Sequence, residues 1–315
     1  MTEDMTTPTP IDPRNRLNDL TGREWVYFLQ SVLCTTYPVR GPAAYGHNLR
    51  RAHPSPKPPQ LMAEIIRFFT KTGGRVLDPF AGVGGTLLGC ALAGREGVGV
   101  ELAAEYLEVY RAVCRQEGLA EQPAVCADAR TLAALPAVTA RPFDLVLTDP
   151  PYGDMLTRRQ DGEKKKRTGS DAPTPFTARP DDLGNLPYAA FLPALDGVLA
   201  AAAACLRPGG YLVVFAKDLQ PTPEHHGMLH ADLAARLPAA IPGLRFRGYK
   251  IWADRTVRLY PFGYPYQFVA NQLHQYILVF QTPGPAGGPG LQDSKSPSTA
   301  RSTAGHSPDR GSISS

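Results

Sequence analysis

Residues 143–152 have the sequence FDLVLTDPPY, which is the stretch that indicates the fold most clearly. Phe143–Thr148 is a largely apolar run of the length of a buried parallel strand. The strand therefore ends on the carboxylate of Asp149, and Pro150 and Pro151 stop the hydrogen-bonded ladder because neither carries an N–H. Tyr152 adds an aromatic ring. Ligands of open α/β sheets bind at the carboxyl ends of strands, so the stretch predicts a binding site, although an ordinary strand-to-loop turn is the alternative.

Composition predicts one large α/β domain. Both ends of the chain are rich in Pro, Gly, Ser and Thr, which predicts disordered tails over 1–18 and 283–315 around a domain of residues 19–282. The five cysteines contain no Cys-x-x-Cys pair and are expected to be reduced core residues, with no structural zinc or disulfide framework. No apolar run has transmembrane length and the N-terminus is unlike a signal peptide, so a cytoplasmic protein is expected.

Strand and helix patterns alternate along the chain. At a spacing of about 25 residues, they predict a doubly wound, mostly parallel α/β sheet. An apolar segment at 20–39 is consistent with a helix that caps the domain. The last strand is expected to be antiparallel, because only a loop separates it from the strand before it. The seven predicted strands are residues 75–78, 97–101, 124–128, 143–149, 211–215, 245–253 and 275–281.

A glycine-rich turn, DPFAGVGGT at 78–86, follows the first of these strands. Gly82, Gly84 and Gly85 remove side chains that would keep a ligand away from the backbone. The turn lacks the Gly-x-Gly-x-x-Gly pattern of dinucleotide sites, and Asp78 at its start would repel a pyrophosphate and attract an ammonium group. The turn therefore favours a ligand with a positive charge.

Acids also end the next two strands. Glu101 is placed to accept hydrogen bonds from ribose hydroxyls, and Asp128 could accept one from an adenine amino group. Each acid alone is more often a strand-end or capping residue. Three acids in register with one glycine turn predict a nucleoside with a cationic amino-acid tail, which is S-adenosylmethionine.

These motifs resemble those of the amino-methyltransferases that modify exocyclic nitrogens of DNA bases. The resemblance covers roughly residues 45 to 280 and includes HPSPKP at 53–58 as an additional cofactor segment. It implies a Rossmann-like class I methyltransferase fold with catalysis by the tetrapeptide Asp149, Pro150, Pro151 and Tyr152. It also implies S-adenosylmethionine bound by Lys57, Asp78, Phe80, Gly82, Gly84, Thr86, Glu101 and Asp128.

Two departures from the family pattern affect the choice of substrate. The turn differs slightly from the commonest Gly-x-Gly-x-Thr form, and Asp-Pro-Pro-Tyr-Gly also occurs in RNA guanine-N2 methyltransferases. RNA therefore stays an alternative. No appended RNA-binding domain is recognisable before the first strand, which favours double-stranded DNA as the partner.

The chemistry of an amino group explains the tetrapeptide. The nitrogen lone pair is delocalised into the base ring, so the enzyme must hold both N–H groups to free it. Asp149 can accept one N–H and the Pro150 carbonyl the other, in a geometry that two prolines make rigid. The base must be flipped out of a duplex, and Tyr152 can stack on it. Carbon-5 methylation would instead need a cysteine, typically after proline, and the chain has no Pro-Cys.

Two segments are candidates for nucleic-acid recognition. The loop 153–187 carries basic residues that predict phosphate contacts, with a solvated insertion as the alternative: Lys164, Lys165, Lys166 and Arg167. The segment 250–275 contains Trp252, Arg255 and Arg258, which could contact bases, although a packed hairpin is equally consistent. His225, His226 and His230 lack the carboxylate or cysteine partners of a metal site. A third hypothesis, besides a DNA and an RNA methyltransferase, is a non-catalytic nucleic-acid-binding module. The intact Asp149 and the intact glycine turn argue against it.

Overall fold

The computed structural model describes residues 10–153 and 175–284, apart from seven positions: Thr222, Glu224, His225, Val257, Arg258, Phe262 and Gln267. The chain divides into two compact units, Met1–Pro283 and Gly284–Ser315. The first unit contains all the strands and helices given below. Of the second unit, only Gly284 lies among the described residues.

Eight strands in the described residues form one sheet with the order β1-β7-β8-β6-β5-β2-β3-β4. The strand β8 is antiparallel to both of its neighbours, and every other pairing is parallel. The predicted fold class, a doubly wound and mostly parallel sheet with an antiparallel last strand, is confirmed. The strands are β1 Val32–Thr35, β2 Arg75–Asp78, β3 Glu96–Glu101, β4 Ala124–Cys126, β5 Phe143–Thr148, β6 Leu206–Ala216, β7 Arg245–Asp254 and β8 His274–Gln281.

Helices cover both faces of this sheet. On one face, helix α3 packs its apolar side against Val213 and Phe215 of β6; on the other, helix α7 packs against Leu212 and Val214. A central strand that buries both faces explains the continuous apolar run at 211–216, the second half of β6. The helices are α1 Gly22–Phe28, α2 His47–Arg50, α3 Pro59–Phe69, α4 Gly85–Ala93, α5 Ala104–Glu117, α6 Pro136–Thr139, α7 Tyr188–Ala204 and α8 Leu229–Ala240.

The strand order reverses between β2 and β5. From β2 the chain proceeds outward through β3 to β4, and then returns to β5 on the other side of β2. Crossover connections leave in opposite directions at such a point and open a crevice at the carboxyl ends of the strands. Asp78 is the last residue of β2 and Asp149 follows β5, so both acids stand at this crevice.

The expectation of a single helix over 20–39 is wrong. A capping box between Thr21 and Glu24 starts α1, which ends at Phe28, and the chain then forms β1. The apolar residues of this segment divide between the two elements, since Phe28 stacks on Phe68 at 3.9 Å while Val32 pairs in parallel with β7. The sheet consequently has one strand more than the seven predicted.

The predicted tail over 1–18 is too long. The Asn18 side chain is fully buried and donates a hydrogen bond to the carbonyl oxygen of Phe68 at 2.6 Å, so the chain is packed on α3 before residue 19. At the other end, the Gly209 N–H donates to the Pro283 carbonyl at 2.7 Å, one residue beyond the predicted boundary. Residues 1–9 and 285–315, the remainder of both predicted tails, lie outside the described residues.

Candidate active site

A pocket of about 880 Å³, part of it open to solvent, lies at the crevice between β2 and β5. It brings together most of the predicted site residues from five separate parts of the chain. Gly84, Pro150 and Tyr152 do not line it. The predicted residues that do are Lys57, Asp78, Phe80, Gly82, Thr86, Glu101, Asp128, Asp149 and Pro151.

Asp78 is the most deeply buried acid of the pocket, with 3% of its surface exposed. Its carboxylate accepts hydrogen bonds from the Phe80 N–H at 3.0 Å and from the hydroxyls of Thr86 at 2.6 Å and Thr148 at 2.7 Å. Burial nevertheless raises the pKa of Asp78 to about 6, and the nearby charge of Asp149 adds to the effect. A positive charge in the pocket would stabilise the ionised form.

Glu101 holds the glycine turn in place from the neighbouring strand. Its carboxylate accepts the N–H of Gly82 at 2.7 Å and the N–H of Ala103 at 2.9 Å. Burial raises the pKa of Glu101 to about 7, opposed by these two hydrogen bonds and assisted by the charges of Asp78 and Asp182. The pocket thus concentrates carboxylates whose charges are poorly solvated.

Asp128 is bound differently from the other two acids. It caps a short 3₁₀ helix through the Arg130 N–H at 2.8 Å, and the Arg130 guanidinium contacts both of its oxygens. This hydrogen bonding lowers the pKa of Asp128. The expected bond from an adenine amino group stays a prediction, and it would have to share the carboxylate with Arg130.

The glycines of the turn serve two distinct purposes. A side chain on Gly82 would meet the His53 ring at 3.3 Å, at the wall of the pocket, whereas a Cβ on Gly84 would overlap the Tyr110 ring at 2.1 Å. Both residues have positive φ, 50° and 80°, which favours glycine. Gly82 therefore keeps the pocket open, while Gly84 allows α4 to pack against α5.

Asp149 is held by two side chains beside the pocket. The Lys57 ammonium forms an ion pair with one of its oxygens, and the Tyr152 hydroxyl donates to the other. Lys57 is 6% exposed and Tyr152 is 4% exposed. Lys57 was predicted to bind the cofactor, and the structure shows that it contacts Asp149. The Tyr152 ring is packed in the core. Its predicted stacking on a base stays a prediction.

The carboxyl-terminal part of the 153–187 loop, from residue 175 onward, contributes residues to the pocket lining. The sequence did not indicate this. Phe176 stacks on His53 with ring centroids 5.0 Å apart, and its carbonyl accepts the Tyr106 hydroxyl at 2.8 Å. Burial lowers the pKa of His53 to about 4, so this imidazole is neutral at physiological pH. Aromatic rings from three segments thus form one wall of the pocket.

Asp182 is a further pocket acid that sequence reasoning missed. It is 6% exposed and accepts the Thr177 hydroxyl at 2.7 Å and the Gly184 N–H at 2.8 Å. Its available signal was a capping acid before Leu183, which is common in loops of any kind. Only the folded chain shows that this acid lines the same pocket as Glu101 and that its charge raises the pKa of Glu101.

The pocket suits S-adenosylmethionine on chemical grounds. Among the described residues that line the pocket, Lys57 is the one basic side chain of the lysine or arginine type, and it is paired with Asp149. No lysine or arginine of the lining is therefore left to pair with the other buried acids, which are Asp78, Glu101 and Asp182. A ligand with a sulfonium and an ammonium group would supply the missing positive charge. The open backbone at Gly82 and the aromatic wall provide room for a nucleoside.

The residues predicted to contact nucleic acid differ in where the structure places them. Trp252 is 6% exposed, packs edge-on against Phe215 and donates its indole N–H to the Thr35 hydroxyl at 2.8 Å. The prediction that Trp252 contacts nucleic acid is therefore corrected: it is a core residue of β7. Arg255 is exposed beyond the end of β7. Arg258 and residues 164–167 lie outside the described residues.

The histidines of the α8 region pair with acids. His230 lies 2.7 Å from Asp218 through Nδ1, and His226 lies 3.5 Å from Asp232. No group of three potential metal ligands occurs within the described parts of the chain. His225 is outside them. No helix there is long and apolar enough to cross a membrane.

The motifs, the sheet order and the pocket resemble those of methyltransferases with a nucleoside cofactor, and a family model matches part of the chain. Residues 19–112 match a family model described as DNA methylase. This range includes β2, the glycine turn and β3, and it stops before Asp149. The resemblance to DNA amino-methyltransferases is confirmed, and with it the implied cofactor, S-adenosylmethionine.

Two kinds of curated relatives are found. The tRNA (guanine(10)-N2)-dimethyltransferase of Methanothermobacter thermautotrophicus is 33% identical over 113 residues, which cover 36% of this chain and 31% of that protein. The Type II methyltransferase M2.DpnII of Streptococcus pneumoniae is 41% identical over 59 residues, 19% of this chain and 22% of that protein. The chain thus spans less than a third of either relative, and RNA and DNA enzymes are both represented.

Solved structures add a distant likeness. TrmN from Thermus thermophilus is 19% identical and covers 78% of this chain and 51% of its own, with a TM-score of 0.40. A likeness of this size does not bear on the substrate.

Proposed function

We propose that this protein transfers a methyl group from S-adenosylmethionine to an exocyclic amino nitrogen of a flipped-out DNA base, adenine-N6 or cytosine-N4. The observation that carries the proposal is the position of Asp149. Its carboxylate follows β5, is oriented by Lys57 and Tyr152, and lines the same pocket as Asp78. An acceptor for an amino N–H therefore stands beside a pocket that suits a cationic nucleoside.

The cofactor would lie along the β2 and β3 side of the pocket. When bound, S-adenosylmethionine supplies an electrophilic methyl group on a positively charged sulfur. Asp78 would face its ammonium group, Glu101 its ribose, and Asp128 or Asp182 its adenine. The open backbone at Gly82 would allow close approach.

Asp149 and Pro150 would hold the target amino group. Asp149 accepts one N–H and the Pro150 carbonyl accepts the other, which directs the lone pair out of the plane of the base. Lys57 acts as a positioning residue, because its ion pair fixes the rotamer of the Asp149 carboxylate. Since this contact is preformed, little reorganisation is needed when the base arrives.

Guanine-N2 of RNA is the second candidate. It is favoured by the 33% identity to the archaeal tRNA (guanine(10)-N2)-dimethyltransferase and by Gly153, which extends the tetrapeptide to Asp-Pro-Pro-Tyr-Gly. The same pair of acceptors would serve a guanine amino group. The geometry around Asp149 thus supports amino methylation for either polynucleotide.

Mass spectrometry of nucleosides tests the proposal. DNA and RNA are incubated separately with the protein and isotope-labelled S-adenosylmethionine, and the labelled nucleosides are identified. We expect N6-methyladenosine or N4-methylcytidine of the deoxy series. Labelled N2-methylguanosine would select the RNA alternative, and binding of both partners without any labelled nucleoside would support the non-catalytic module.

A further inference from the structure

One lysine at the carboxyl ends of the strands, near Asp149, has no hydrogen bond or ion pair within the part of the chain that the structure describes. Lys217 directly follows β6, which pairs with β5 next to Asp149. The alternation along β6 places position 217 on the face of Phe215, over whose ring the Lys57 ammonium lies at 5.3 Å. Lys217 is thus a second cation near Asp149.

The surroundings of Lys217 disfavour its charge. It is half-buried, and burial lowers its pKa, as does the like charge of Lys57, while Asp149 opposes the shift. Asp149 is already engaged by Lys57. By contrast, the buried Lys250 donates to two backbone carbonyls. A partly desolvated ammonium without a partner is costly to the fold and is characteristic of a binding site.

We propose that Lys217 binds a backbone phosphate beside the nucleotide whose base enters the site at Asp149. This inference rests on the proposed function. The cofactor acids Asp78 and Glu101 stand on β2 and β3, on the opposite side of β5 from Lys217. The amino group of the base is neutral, so Lys217 has no role in holding it. A phosphate of the flipped strand supplies a negative charge on the β6 side, and the substrate is then a base within a polynucleotide chain.

The test compares three variants with the parent protein. Lys217→Ala removes the charge, and Lys217→Arg keeps it. Lys71→Ala removes an equal charge just before β2, at the amino-terminal ends of the strands and away from Asp149. Binding of a fluorescent mixed-sequence single-stranded oligonucleotide, as DNA and as RNA, is measured by anisotropy over a series of salt concentrations. Calorimetry measures the affinity for S-adenosylmethionine.

We expect Lys217→Ala to bind the oligonucleotide about tenfold more weakly. The slope of log K against log salt should become shallower by about 0.7, the value for one phosphate of a single strand. Lys217→Arg and Lys71→Ala should keep the parent slope. The thermal stability of Lys217→Ala should equal or exceed that of the parent, because a poorly solvated charge is gone. If the role of Lys217 were purely structural, Lys217→Ala should lower the thermal stability and leave the salt slope unchanged.

Several results would overturn the inference. If Lys217→Ala keeps the parent slope while the parent methylates nucleic acid, this inference fails alone. If Lys217→Ala loses affinity for S-adenosylmethionine, the ammonium serves the cofactor. A parent that binds no nucleic acid refutes both this inference and the proposed function.

Discussion

Asp78→Asn should stabilise the protein at alkaline pH while weakening its cofactor site. Burial raises the pKa of Asp78 from 3.8 to about 6, so the folded protein binds more protons than the unfolded chain over this range. The free energy of unfolding therefore decreases as the pH rises from about 4 to 6. From this shift, the ionised Asp78 costs about 3 kcal/mol at pH 8 and about half of that at pH 5.

An asparagine can keep the local hydrogen bonds without the charge. Its carbonyl oxygen can accept from the Phe80 N–H and the Thr148 hydroxyl, and its amide can donate to Thr86, whose hydroxyl changes from donor to acceptor. We therefore expect most of the 3 kcal/mol to be recovered at pH 8. For a domain of this size, that gain raises the Tm by roughly 6 to 12 °C.

Thermal and urea unfolding at pH 5 and pH 8 measure the effect. The matched control is Asp144→Asn in β5, where the acid accepts the Arg75 N–H at 2.8 Å and the Arg207 guanidinium at 2.6 Å, so its replacement should destabilise. Calorimetry should show weaker S-adenosylmethionine binding by Asp78→Asn. A variant no more stable than the parent at pH 8, or equally stabilised at both pH values, would refute the linkage to Asp78.

Four further outcomes are expected. Asp149→Asn should lower methyl transfer by at least a hundredfold with little change in S-adenosylmethionine binding, as measured by single-turnover kinetics and calorimetry; loss of both together would place Asp149 in the cofactor site. Gly84→Val should unfold the domain, detected by circular dichroism, because its Cβ overlaps the Tyr110 ring at 2.1 Å. Affinity for S-adenosylmethionine should fall as the pH drops through about 7, where Glu101 becomes protonated; an affinity that is constant from pH 8 to 6 contradicts this. Replacing residues 164–167 by Ala should weaken binding of cognate and non-cognate DNA equally and reduce the salt slope by about 0.9 per lost phosphate contact; a parent-like slope would indicate a solvated insertion.

The sequence predicts the sheet and the cofactor half of the site because their signals are local. A strand that ends in Asp78 and continues into a glycine turn has a characteristic spacing, and the acid of Asp149 is marked by the two prolines that follow it. These signals need no knowledge of distant contacts. The predicted fold class and the placement of most site residues in one pocket follow from them.

Features that depend on distant contacts were not predictable in this way. Trp252 looks like a surface aromatic among arginines, and only the pairing of β7 with β1 and the Thr35 hydroxyl make it a core residue. Asp182 looks like an ordinary cap, and Lys57 has no sequence signal that assigns it to Asp149. Each role is fixed by a partner far away in the sequence, so periodicity cannot show it.

The position of the last strand has a consequence for how the chain acquires its fold during synthesis. β8 lies between β6 and β7, and β1 pairs with β7, so that Val32 meets Ile251 about 220 positions later. Contacts of such high sequence separation form late, after much chain entropy is lost. On the ribosome, β1 would stay unpaired until β7 emerges, and one edge of β6 would stay unpaired until β8 emerges. Termination before β8 would therefore leave exposed strand edges, which favour aggregation and recognition by chaperones.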